Sequence, residues 1–72
     1  MSKKQRPKYK VGDILIHRRV RWVCPIVNVG TPMDTIIYEV EHPNGRRMIY
    51  NLNELERIYY TSEAARVLYG NI

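Results

Sequence analysis

The chain has no phenylalanine, one cysteine and one tryptophan. A lone thiol excludes an intramolecular disulfide, and Cys24 lies inside an apolar run, so it is expected as a buried thiol behaving as a small hydrophobe. The two histidines, His17 and His42, stand far apart in the chain and lack zinc-type spacing with Cys24, so no metal is expected. The glycines are isolated turn residues, which excludes a glycine-rich loop cradling phosphate. No serine–histidine or cysteine–histidine arrangement stands out. Glu39 and Glu41 fall on one strand face, where Glu54 and Glu56 could neighbour them, but no nucleophile accompanies them. They read as solvated charges or as partners of Arg47 across a hairpin. No apolar stretch is long enough for a signal core or a membrane span, so a cytoplasmic protein with no membrane partner is expected. These absences describe a chain with no catalytic set and no cofactor.

What the chain does have is tyrosine and basic charge. Six tyrosines suit a shallow core, because a phenol can bury its ring and keep its hydroxyl wet. Seventy-two residues make one domain, and a chain this short buries only about 60% of its unfolded surface. The net charge is +5 and is unevenly spread. Residues 1–21 hold eight bases against one acid, Asp13, while the remainder holds four bases and six acids. A basic front on a mildly acidic body suits an anionic partner.

Residues 1–8 are polar and basic and are expected as a disordered arm. Residues 9–60 read as a barrel. Val11-Gly12-Asp13 launches a first strand to His17, with Ile14 and Ile16 on one face and Leu15 on the other. Arg18 to Arg21 form a charged loop. Trp22 to Val29 is a nearly continuous apolar strand, in which Pro25 marks a bulge or an edge. Residues 30–34 are a loop and residues 35–41 a third strand. Pro43-Asn44-Gly45 is the strongest turn signal, and residues 46–50 return as the fourth strand. Residues 51–55 read as one 3₁₀ turn before a last strand at 56–60. Short strands with turns at this spacing predict an all-β, five-stranded, SH3-like barrel. Residues 61–72 change period and predict a short helical tail, with Ala64, Val67 and Leu68 on one face.

Several residues resemble those of the plasmid-encoded type II, trimethoprim-resistant dihydrofolate reductases. Gly12-Asp13, Trp22 with Ile26-Val27, Tyr38 to Glu41, His42-Pro43 with Gly45, Ile49-Tyr50 and Leu55 to Ile58 are similar to segments of that family, over about residues 9–58. The resemblance implies an SH3-like chain, a homo-oligomer around a central pore, and Ile49 and Tyr50 as candidate ligand contacts. Its departures fall at the chemistry. Met48 stands where the family has a pore glutamine, Arg47 replaces a small apolar residue, and the pore lysine falls near His17 or Arg18. A thioether cannot supply the hydrogen bonds of an amide.

The expected function is therefore a non-enzymatic binding module, in the style of a phage or mobile-element accessory protein. Its expected partner is nucleic acid, or an acidic surface of a nucleic-acid-handling protein such as RNA polymerase. The residues expected to carry binding are Lys3, Lys4, Arg6 and Lys8 in the arm, Lys10 just after it, Arg18, Arg19 and Arg21 in the first loop, and Arg46 and Arg47 after the Asn-Gly turn. Trp22, adjacent to the arginines, is read as core or interface, with base stacking as the alternative. His42, Ile49, Tyr50, Val67 and Leu68 are the other interface candidates. Two alternatives stand beside this reading: an NADPH-dependent oligomer of the type II reductase kind, and a protein–protein inhibitor of a host enzyme that touches no nucleic acid.

Overall fold

The computed structural model describes residues 6–64. Alternation does most of the work in the first strand, β1 (Ile14–His17). Leu15 points inward and is buried, while Ile14 on the opposite face is exposed. The second strand, β2 (Val23–Gly30), buries Cys24 and Ile26 by the same period. It begins one residue later than expected, because Trp22 gives its carbonyl to the His17 N–H at 2.9 Å and so closes the β1–β2 turn.

The second strand serves two neighbours. Residues 23–25 pair with β1, and residues 26–30 pair with β3 (Ile37–Glu41). Ile26 turns both backbone groups to the β1 side, donating to Asp13 O and accepting from Gly12 N, each at 2.9 Å. The nitrogen of Pro25 therefore faces the other way, past the end of the β2–β3 pairing, where its missing proton costs no ladder bond. The bulge lies further on, between Ile26 and Asn28, rather than at the proline.

The third strand starts later than expected because Pro32–Asp34 form a 3₁₀ turn, onto which Thr35 N–H folds back to Pro32 O at 2.9 Å. Its inward residues are Tyr38 and Val40, opposite Tyr50 and Met48 of β4 (Arg47–Asn51). The larger correction concerns residues 51–58. In place of a single 3₁₀ turn and an early strand, the structure has a helix, α1 (Leu52–Ile58). Asn51 Oδ1 accepts from Glu54 N at 2.9 Å, and Glu54 Oε1 accepts from Asn51 N at 3.2 Å. This reciprocal capping starts the helix, and Leu55 anchors it in the core. The last strand, β5 (Tyr59–Thr61), is correspondingly short.

The five strands form one curled antiparallel sheet in the order β4-β3-β2-β1-β5, a half-barrel compatible with the SH3-like architecture. The helix packs on β3, β4 and β5 and spans the gap between the two edge strands. The core joins Leu15, Cys24, Ile26, Tyr38, Val40, Leu55 and Tyr59. Thr61 Oγ1 accepts the Ala64 N–H at 3.0 Å, and residues 62–64 take a helical turn. The expected arm over residues 1–5 and the rest of the tail lie outside the described residues. Lys8, assigned to the free arm, is bound to the barrel: its N–H donates to the Tyr38 hydroxyl at 2.9 Å.

Candidate functional site

Both β1 and β3 run antiparallel to β2, so they point the same way. The turns that follow them must therefore lie at one end of the barrel. The first turn, residues 18–21, is closed by the His17–Trp22 bond and by Arg21 N–H donating to His17 O at 2.8 Å, with Arg21 in the left-handed region at φ 58°. The second is the Asn-Gly hairpin. His42 N–H donates to Arg46 O at 2.7 Å, Gly45 N–H donates to His42 O at 2.9 Å, and Gly45 takes φ +88°. The two turns touch at their bases: the Trp22 and His42 ring centroids are 5.2 Å apart, and those of His17 and His42 6.3 Å. Helix α1 delivers its C-terminal end to the same place, where Ile58 O accepts the Arg18 N–H at 2.9 Å.

This end gathers Arg18, Arg19, Arg21, Arg46 and Arg47, two groups that the sequence could not place relative to each other. Their charges are differently occupied. Arg47 meets Glu41 at 3.8 Å, the cross-hairpin pair that the sequence suggested. Arg18 donates to the Glu56 carbonyl from Nε (3.3 Å) and Nη2 (3.0 Å), and its guanidinium lies 5.4 Å from the Tyr60 ring centroid. Arg19 and Arg46 have no carboxylate partner among the described residues and stand exposed. Lys10 is paired with Asp13 at 3.7 Å. Lys8 is paired with Glu56, whose carboxylate also accepts from the Tyr9 hydroxyl at 2.8 Å. The Lys8 ammonium, first, and then the Tyr9 hydroxyl hold the Glu56 carboxyl below its ordinary range. Lys8 and Arg18 thus border one shallow groove of about 450 Å³. Arg6 is exposed, and Lys3, Lys4, Val67 and Leu68 lie outside the described residues.

Beneath the arginines is a polar aromatic network that sequence reasoning missed. The Tyr59 hydroxyl joins His42 Nε2 at 2.6 Å and the Tyr50 hydroxyl at 3.2 Å. Burial, above all, pushes the Tyr59 phenol up, so it stays neutral. His17 packs edge-on against Tyr59 at 5.2 Å, and its Nδ1 accepts from the backbone N–H of Arg19 (3.1 Å) and Val20 (3.4 Å). That acceptance leaves the ring proton on Nε2 and fastens the arginine turn. Burial, then the neighbouring His42 and Arg19, push the His17 imidazole down.

Trp22 lies outside the core, 37% exposed, on the rim above His42. His42 is half-buried and hydrogen-bonded to Tyr59. Ile49 and Tyr50 face opposite ways: Ile49 is 60% exposed on the outer sheet face, and Tyr50 turns inward to Tyr59. Cys24 is fully buried and free, as expected. Among the described residues no group of three or more acidic, histidine or cysteine side chains is placed to hold a metal ion. Nor, among them, is any helix long and apolar enough to cross a membrane.

Fold and site together define a class: a small antiparallel half-barrel with an arginine-rich end built on a histidine–tyrosine network. No family model, no curated protein and no solved structure matches the chain.

Proposed function

We propose that this protein is a non-enzymatic, cytoplasmic binding module that takes nucleic acid at the arginine end of its barrel. The observation that carries this reading is the meeting of the two arginine turns at Trp22 and His42. Arg19 and Arg46 keep their charge available to phosphates, and Lys8 and Arg18 are both held at Glu56. Guanidinium groups bind phosphate oxygens without regard to sequence, so the affinity is electrostatic and releases counterions. The reductase reading finds less support. Met48 is half-buried opposite Val40 and offers no amide where the resemblance needs one.

Binding of short labelled oligonucleotides, measured against salt, tests the proposal. Affinity is expected to fall steeply between about 50 and 200 mM salt, and Arg18→Ala with Arg19→Ala to weaken it and flatten the slope. Salt-independent binding, or none at low salt, overturns it, and no binding leaves recognition of an acidic protein surface as the surviving class. A flat NADPH titration removes the reductase alternative.

A further inference from the structure

We infer that the arginine end prefers single-stranded nucleic acid, and that Trp22 is the platform on which an unpaired base stacks. This rests on the nucleic-acid reading above and narrows it. Trp22 is 37% exposed, and Val20 in the turn before it is 52% exposed. Val20 and Trp22 form an apolar rim interleaved along the chain with Arg19 and Arg21. Phosphate binding alone gives no reason for that rim, since a duplex offers phosphates and groove edges and keeps its base faces stacked on one another. An unpaired base offers a flat apolar face beside a phosphate, which is the combination this rim complements.

The indole is also held in place before any ligand arrives. One side lies on the His42 ring at 5.2 Å with a 56° tilt, and the His17 ring meets it edge-on at 6.1 Å. His42 is fixed in turn by Tyr59 at 2.6 Å, and His17 by the backbone of the arginine turn. A platform fixed by half-buried neighbours loses little freedom on stacking. The arginines on both turns then hold the strand through its phosphates.

The only tryptophan in the chain is its own reporter. The full chain is titrated at low salt with thymidylate and uridylate oligomers of about 12 nucleotides, and with a mixed-sequence duplex of the same length, while tryptophan emission is followed. The expected result is quenching by a single strand, tighter binding of single strand than duplex, and no quenching by duplex. The thymidylate and uridylate arms distinguish DNA from RNA as the source. Trp22→Leu, which keeps apolar bulk but loses the reporter and is therefore titrated against labelled oligonucleotides, is expected to cut single-strand affinity about tenfold and leave the salt slope unchanged. Arg19→Ala with Arg46→Ala is expected to weaken both ligands and flatten the slope. Equal affinity for both forms with unchanged emission, or a Trp22→Leu protein that binds as the parent does, overturns the inference and leaves the nucleic-acid reading standing. If neither form binds, the nucleic-acid reading fails, and this inference with it.

Discussion

His17 is the residue on which most of the site depends. Its Nδ1 accepts two backbone N–H groups of the arginine turn, and protonation replaces that acceptor with a donor. The imidazole is held below its ordinary value of 6.5, by burial first and by His42 and Arg19 after it. A depressed folded-state value means that the unfolded chain binds the proton more readily. The His17 contribution to stability is therefore complete above about pH 6.5 and is lost as pH falls through the lower folded-state value. Thermal unfolding followed from pH 8 to pH 5 is expected to show this decline, and His17→Gln to flatten it. Glu56 acts in a separate window. Its carboxyl is held below 4.5 by Lys8 and Tyr9, so its contribution is present above that value and vanishes as pH drops below it. With the same scan extended down through that window, Glu56→Gln is expected to remove the second decline and leave the first. Neither window was legible in the sequence, because His17 and His42, and Lys8 and Glu56, are far apart in the chain. The burial of Cys24 was legible, because the apolar residues around it are its own neighbours.

At the scale of elements, the helix α1 is the instructive case. Tyr59 and Tyr60 favour strand, and that preference drew the expected last strand back to residue 56. Asn51 and Glu54, three apart, carried the opposite signal, which is a helix start. With so few residues, α1 is too short to persist on propensity alone and depends on its cap and on Leu55 in the core. Asn51→Ala is expected to cost about 1 kcal/mol in urea unfolding, and Asn51→Asp to retain most of that stability. The Asn-Gly hairpin shows the reverse situation. Its turn was plain in the sequence because Gly45 sits at φ +88°, a conformation that few other residues adopt.

For the whole molecule, the helix and the sheet share one core. The edge strands β4 and β5 do not pair with each other, and α1 packs on both. Leu55, 1% exposed, is the side chain that seats the helix. Leu55→Ala is expected to cost about 2–5 kcal/mol. A chain of this length has a total stability of roughly 4–10 kcal/mol. The variant is expected to unfold at much lower urea than the parent, with a single transition if sheet and helix are coupled. Separate transitions for the tyrosine near-ultraviolet signal and the far-ultraviolet signal would show instead that α1 melts alone.

The sequence by itself determined the strand alternation, the Asn-Gly turn, the buried thiol and the concentration of basic charge toward the N-terminus. Each of these depends on residues within a few positions of one another, where backbone sterics and side-chain period decide the outcome. Tertiary structure alone decided that Arg18, Arg19, Arg46 and Arg47 share one end of the barrel, and that His17, Trp22, His42 and Tyr59 meet beneath them. The reason is strand direction: antiparallel pairing of both β1 and β3 with β2 sends their two following turns to the same side, and only the assembled sheet fixes that pairing.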